Sequence, residues 1–439
     1  MFTFFRQAFR SRLSRGAAVT FGIRVAGAGL LYALHVLLAR WMGTEGYGVY
    51  VFAISWTSFL AELGALGIPN AALRFVPTYR SDGRVRDLWA FLRTGRVSVF
   101  AATAGLSALA TGGVLVLPAS GFSTEALILG FWLAPLLALV AFETQVLRAS
   151  NRFALSYAPN QVLRPLGIGA GAAGLLWLTG SVSPIGVLLC TALIFLGALI
   201  VQQRGTRGTL PVAPGTLFPP RARRWLGVAL PLLLTSGFHL VVKKTDIFLI
   251  GAVLGAEEVG IYFAAMRTAQ VVTFVGFAVE AVAGPLIARL YHDEDDALQS
   301  TVSRLAHWYF WPTLAGAGGL VVFGGPILSL FGTAFTSGWP VMCAFLAGLL
   351  ANAATGPQTH LLSLTGHERS CAYIFGWCAA LNVVLNLVGL SVYGTLGAAL
   401  ATAATLAVRN LWVRHRVVQL TGIRPSIVSA LRPTAPSHA

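Results

Sequence analysis

The sequence predicts an all-α polytopic membrane protein, with about twelve transmembrane helices in two parallel six-helix repeats around a central cavity. Three observations carry that expectation. Charged residues make up only 10% of the 439 positions and hydrophobic residues 56%, whereas a water-soluble domain carries about 25% charged residues. Apolar stretches of roughly 20 residues, the length that crosses a bilayer, recur from one end of the chain to the other. Finally, one pattern, G-x-E-x-x-G-x-Y, occurs at residues 43–50 and again at 255–262, 212 positions later.

The first element, residues 1–16, carries Arg6, Arg10, Arg12 and Arg15, with Phe5, Phe9 and Leu13 spaced four apart. That spacing predicts a basic amphipathic helix lying on the cytoplasmic membrane face. The apolar run behind it lacks a short h-region with a cleavage site and reads as a retained first helix. Spans follow at 17–39, 47–70, 97–118, 125–147, 154–178 and 183–203, an N-terminal lobe over 17–203. Residues 204–225 hold Pro211, Pro214, Pro219 and Pro220 among five arginines and read as an irregular cytoplasmic linker. A C-terminal lobe over 226–414 contains spans at 226–253, 258–288, 305–331, 338–363, 370–392 and 395–414, and residues 415–439 form a cytoplasmic tail.

Orientation rests on arginine. The net charge is +16, and Lys243 and Lys244 are the only lysines. With both ends inside, the inside segments collect 24 arginines and the outside loops one, Arg40. That is the asymmetry of positive charge kept on the cytoplasmic face. Because the charge sits in short loops between apolar helices, the composition excludes a nucleic-acid-binding role. The acidic run Asp293–Asp296 reads as a solvated loop. Cys190, Cys343, Cys371 and Cys378 fall in apolar segments without metal-ligand spacing and are expected to be small core residues.

In the repeated pattern the glycines permit a tight turn. The glutamate opens a helix, where its charge suits the N-terminal dipole, and the tyrosine falls at interface depth. The two copies join the first and second helices of each half, so the halves are parallel repeats about an axis along the membrane normal.

Several stretches carry a family resemblance. Near the start stand Leu37-Leu-Ala-Arg40-Trp-Met-Gly43, running on to Tyr50, and Leu63-Gly64-Ala-Leu-Gly67. Toward the end stand Gly366-His-Glu-Arg369, Asn382-Val-Val-Leu-Asn386-Leu and Tyr393-Gly394-Thr-Leu-Gly397-Ala398-Ala399. Together they resemble bacterial polysaccharide flippases of the Wzx type, in the multidrug/oligosaccharidyl-lipid/polysaccharide exporter superfamily. The resemblance implies a V-shaped pair of six-helix lobes around a central cavity. It also implies that a polyprenyl-pyrophosphate-linked oligosaccharide moves from the cytoplasmic to the periplasmic leaflet of the inner membrane, for O-antigen, capsule or exopolysaccharide synthesis. The lipid bilayer, a polysaccharide polymerase and glycosyltransferases are then the expected partners. Lipid II flippases of the same superfamily usually carry two further helices, for which this chain has no room, so that substrate is disfavoured.

Candidate site residues come from charges left inside the spans. The cations are Arg24, Arg164, Lys243, Lys244, Arg267 and Arg409; the acids are Glu62, Glu143, Asp246 and Glu280. An arginine or lysine at a helix centre costs about 2.5–3.5 kcal/mol, so these groups are expected to face each other, water or a polar ligand. Arg24, Arg164 and Arg267, followed by Lys243 and Lys244, are the expected contacts of a diphosphate, which guanidinium grips bidentately. Arg24 could instead snorkel, the lysines could pair with Asp246, and Arg409 reads as a snorkelling residue. Glu62, Glu143, Asp246 and Glu280 either neutralise these cations or couple transport to protons or sodium. His35, His239, His307 and His360 form no convincing metal site. Trp56, Trp132, Trp177, Trp308, Trp311, Trp339 and Trp377 read as belt and core residues. Glycines in spans 5 and 9 permit close helix packing, and rocking of the two repeats is the expected mechanism.

Two rivals share parts of this pattern. A drug exporter of the same superfamily has the same architecture. An integral-membrane polymerase or ligase would need a catalytic acid and base at one interface. No Gly-rich phosphate loop, Ser-His-Asp arrangement or metal triad is present, so no cofactor and no enzyme activity are expected.

Overall fold

The computed structural model describes residues 12–117, 121–210, 217–220, 222–274, 276, 279, 283, 286–287, 297–356, 358, 361 and 368–423. Among these, all regular structure is helical. The helices are α1 (Arg12–Gly64), α2 (Ile68–Ser81), α3 (Val85–Val116), α4 (Thr124–Ala149), α5 (Phe153–Ala158), α6 (Arg164–Thr179) and α7 (Pro184–Thr209). A π-helical turn, Pro159–Leu163, joins α5 to α6. Then come α8 (Ala222–Leu254), α9 (Ala256–Ala269), α10 (Ala297–Ser329), α11 (Trp339–Ala354) and α12 (Glu368–Thr421). Within the described residues eight helices are long and apolar enough to cross a membrane, or nine if the bent pair inside α8 is one span.

The first and last helices each fold back once. α1 turns at Gly43, with φ 72° and ψ −177°, and α12 turns at Gly394, with φ 57° and ψ −138°. Backbone of this kind is open almost only to glycine. One element therefore supplies the two spans expected at 17–39 and 47–70, and another the two expected at 370–392 and 395–414. Helix starts follow side-chain chemistry elsewhere: the Ser123 and Ser183 hydroxyls accept from Ala126 N and Gly186 N at the heads of α4 and α7.

The chain forms two compact units, one of Met1–Leu240 with Gly251–Ile261 and one of Val241–Ile250 with Tyr262–Ala439. Burial in each is that of a membrane protein. Large apolar side chains stand outward, Trp177 at 85% and Phe323 at 62% exposed, while Glu143, Gln202, Asn382 and Asn386 are fully buried. Helices satisfy their own backbone, so lipid-facing surface needs only apolar side chains.

In unit 1 the chain beyond α7 is pinned by polar contacts. Thr94 Oγ1 accepts from Phe218 N at 3.0 Å. Trp225 Nε1 donates to the Tyr79 hydroxyl at 2.8 Å and meets Phe91 edge-on, with ring centroids 5.2 Å apart. Helix α7 runs on to Thr209, so Arg204 and Arg207 lie on its last turns.

The two copies of the repeated pattern pack on each other within this unit. A Cβ at Gly48 would strike the Ala256 carbonyl oxygen, and one at Gly260 the Thr44 carbonyl oxygen. Thr44 Oγ1 donates to Glu257 Oε1 at 3.0 Å across the same contact. Glycine is thus required here for close backbone approach, beyond the turn that the sequence suggests. Tyr50 and Tyr262, which close the two copies, are buried.

Candidate functional site

Arg96 and Glu143 form the strongest charge pair of unit 1. Glu143 on α4 is fully buried. It accepts from Arg96 Nε at 2.6 Å and from Thr206 Oγ1 at 2.8 Å, tying α3, α4 and α7 together. With the third span expected at 97–118, Arg96 counts as a loop charge in the sequence. Helix α3 begins at Val85, so Arg96 is a helical residue and Glu143 is neutralised.

Two cations of unit 1 stand on aromatic rings. Arg24, on α1 and exposed, lies with Cζ 5.2 Å from the centre of the Tyr157 ring. Arg164 opens α6, is partly buried, and lies 5.0 Å from the Phe195 ring of α7. Its Nε is buried without a hydrogen-bond partner. A guanidinium over a ring face gains about 0.5–2 kcal/mol, and its planar N–H fork stays available for a carboxylate or phosphate. Glu62 is half-buried on α1. His35 is buried against the Tyr47 hydroxyl, 3.1 Å from Nδ1.

Unit 2 collects oxygens. Asp246 on α8 is 1% exposed. It accepts from the Tyr262 hydroxyl at 2.6 Å and from Ile247 N at 2.8 Å. Asn382 Nδ2 approaches Thr402 Oγ1 at 3.5 Å and donates to Thr405 Oγ1 at 3.3 Å. Asn386 Nδ2 donates to the Asn382 carbonyl at 2.9 Å. The side-chain oxygens of Asn382 and Asn386 are buried without a partner. Asp246 and Tyr262 thus join α8 to α9, and Asn382, Asn386, Thr402 and Thr405 form a polar cluster within α12. Formal charge singles out Asp246 in the sequence but not the α12 cluster. The signal was there: Asn382 and Asn386 lie four apart, on one face of an apolar helix.

The remaining candidates of unit 2 lie on α8, α9 and α12, the two lysines three and two residues before Asp246. Lys243 is exposed and Lys244 half-buried on α8. Arg267 lies 4.8 Å from the Phe263 ring and donates to Gln270 Oε1 at 3.3 Å. Arg409 lies 5.6 Å from the Phe375 ring. His307 contacts the Ser303 carbonyl of its own helix at 3.0 Å. Glu280 and the side chains of His239 and His360 lie outside the described residues. Among the described residues no group of three His, Cys, Asp or Glu side chains could hold a metal ion, and all four cysteines are free.

The fold has well-covered relatives among solved structures. It is similar to the lipid II flippase MurJ in an inward closed conformation, with TM-score 0.73 and 18% identity over 91% of this chain and 87% of that one. A multidrug resistance MATE family transporter of the MOP superfamily, inward-facing, matches with TM-score 0.64 and 14% identity over 92% and 99%. A MOP superfamily transporter from Pyrococcus furiosus, described by the reverse polarity of its binding pocket, matches with TM-score 0.62 and 14% identity over 92% and 95%. At these identities the likeness concerns the fold. No curated protein matches the sequence significantly. The model of one family, described as polysaccharide biosynthesis protein, matches residues 13–291. That match spans more than half of the chain and agrees with the resemblance carried by the glycine-rich motifs, so the protein belongs to the polysaccharide biosynthesis protein family.

Proposed function

We propose that the protein is a flippase, a transporter and not an enzyme. It moves a polyprenyl-pyrophosphate-linked oligosaccharide from the cytoplasmic to the periplasmic leaflet of a bacterial inner membrane, by alternating access and with both chain ends in the cytoplasm. Its product serves a cell-surface polysaccharide such as O-antigen, capsule or exopolysaccharide. Glycosyltransferases that build the lipid-linked glycan and a polymerase that extends it are the implied partners.

The observation that carries this reading is Arg164, an arginine within a span that stands on Phe195 with a buried, partnerless Nε. Stacking offsets only part of the cost of about 2.5–3.5 kcal/mol for such a residue. A diphosphate offers the bidentate acceptor that a guanidinium fits. Arg24, exposed in the same unit, supplies a second positive group; Arg267, Lys243 and Lys244 are the contacts assigned to unit 2. Membership of a polysaccharide biosynthesis family supports the cargo class.

Coupling belongs to Asp246. Its buried carboxylate accepts from the Tyr262 hydroxyl, in a unit where the side-chain oxygens of Asn382 and Asn386 are also buried without a partner, and such an acid offers a site for a hard cation or a proton. Glu143 is not the coupling group in this reading, because its two oxygens are taken by Arg96 and Thr206.

The test is the lipid fraction of a deletion strain. A lipid-linked sugar should accumulate on the cytoplasmic side, disappear with the wild-type gene and persist with Arg164→Ala. Loss of drug export with no accumulating lipid-linked sugar would assign the chain to the drug exporters of the superfamily and overturn the proposal.

A further inference from the structure

The span containing Arg164 is not a plain α-helix. Between α5 and α6 the turn Pro159–Leu163 is π-helical, and Arg164 N donates five residues back, to the Pro159 carbonyl. In an unbroken α-helix, positions seven apart lie about 20° apart around the axis, which would put Arg164 on the same face as Tyr157. A π turn absorbs one extra residue and takes up about 100° of that rotation. As a result Tyr157 faces α1 and meets Arg24, while Arg164 faces α7 and meets Phe195.

Both sides of the turn are clamped. On one side the Thr144 hydroxyl accepts from Asn160 Nδ2 at 3.0 Å and from Gln202 Nε2 at 2.9 Å, and itself donates to the Val140 carbonyl. Ser156 Oγ donates to the Thr144 carbonyl at 2.8 Å, and Gln202, fully buried, also reaches the Ser156 carbonyl at 3.4 Å. On the other side Gln161 backs onto Gly27, where a Cβ would come within 2.6 Å of it. The hydrogen bonds of Asn160 and Gln202 go to Thr144 and to the Ser156 carbonyl, and to neither guanidinium.

We propose that Thr144, Asn160 and Gln202 are positioning residues: their hydrogen bonds hold the turn in π geometry and so fix the direction in which Arg164 points. The inference rests on the reading of Arg164 as a diphosphate contact. It makes an unusual prediction, because removing a residue should do less harm than replacing it. Asn160→Leu keeps the extra residue without its anchor, so the turn relaxes to α geometry and swings α6 about its axis. Deleting Asn160 leaves an α-helix of the length that preserves the native direction of Arg164.

Two measurements on purified full-length protein in detergent test this. In a background with the native cysteines replaced by serine, thiol labelling compares a cysteine at Leu166, 52% exposed, with one at Ile168, fully buried. Affinity for farnesyl diphosphate is titrated in parallel. Asn160→Leu and Thr144→Val should lower labelling at position 166, raise it at 168, and weaken binding at least tenfold. Deletion of Asn160 and Thr144→Ser should keep the wild-type labelling pattern and stay within about threefold in affinity. An unchanged labelling pattern in Asn160→Leu and Thr144→Val, or equal damage from the deletion and the replacement, overturns the positioning role. Failure of the wild type to bind farnesyl diphosphate would instead sink the diphosphate reading, while the labelling pattern still decides the geometry.

Discussion

Unit 1 encloses a carboxylate that is fully answered, Glu143 between Arg96 and Thr206, and leaves a guanidinium nitrogen of Arg164 without a partner. Unit 2 encloses a carboxylate whose hydrogen bonds come from neutral donors, Asp246 with Tyr262 and Ile247, and also holds two amide oxygens without a partner, those of Asn382 and Asn386. The units differ in how the buried acid is answered, by a guanidinium and a hydroxyl in unit 1 and by a hydroxyl and a backbone N–H in unit 2, while each keeps buried side-chain oxygens without a partner, those of Gln145 and Gln202 in the first and of Asn382 and Asn386 in the second. A helical membrane unit can be loaded either way because its backbone is self-satisfied and a handful of side chains sets its polarity.

The sharpest way to break this comparison is to remove each buried acid. Glu143→Leu strands Arg96 in a buried site and should destabilise the protein by about 3–5 kcal/mol, the cost of breaking a buried pair. The double variant Arg96→Met with Glu143→Leu should recover most of that. Asp246→Asn keeps an acceptor for Tyr262 and Ile247 and should change stability by less than about 1 kcal/mol, yet abolish the dependence of transport on a sodium or proton gradient. Thermal unfolding in detergent and counterflow in proteoliposomes measure the two. Equal destabilisation by both substitutions would show that the acids do the same job.

The next effect falls on Arg164. Arg164→Ala should weaken binding of a prenyl diphosphate by tenfold or more, since a charge-assisted hydrogen bond contributes about 1.5–3 kcal/mol. Arg164→Lys should recover only part, lacking the planar fork. Neither change should alter ion dependence. If Arg164→Ala uncouples transport while Asp246→Asn weakens cargo binding, the assignment of grip to one unit and coupling to the other is reversed.

Much of this architecture is legible in the sequence. Apolar length and the 212-residue repeat report the helices, because a span must be long and apolar whatever it packs against. Gly43 and Gly394 mark the two turns because few other residues tolerate those angles. The sites are only half legible. Asp246 and Arg164 stand out as charges in apolar surroundings, but their meaning depends on neighbours far along the chain, Tyr262 and Phe195. Arg96 was hidden by a boundary: α3 extends ten residues or more beyond its apolar stretch, so a helical arginine looked like a loop charge. The π turn is not legible in the sequence, since its one extra residue shifts the phase of a span that is apolar on most faces without shortening it.

A smaller effect sharpens the comparison at the repeat. Gly260→Ala places a methyl against the Thr44 carbonyl, and Gly48→Ala one against that of Ala256. Overpacking of this kind costs about 1–3 kcal/mol, so each should lower the unfolding temperature. Gly22→Ala, with nothing near its Cβ position, should be neutral or slightly stabilising in its helix.

The smallest effect lies in the second donor to Glu143. Thr206→Val removes the hydroxyl that reaches Oε2 at 2.8 Å and leaves Arg96 on Oε1. The shape is conserved and the carboxylate keeps its charge partner, so the loss should be about 1–2 kcal/mol, that of one hydrogen bond to a charged group. Thr206→Ser should restore it. In the Glu143→Leu background the same Thr206→Val change should cost almost nothing, since its partner is gone. Additive losses would mean that Thr206 acts through packing, and that Arg96 alone carries the neutralisation that separates this acid from Asp246.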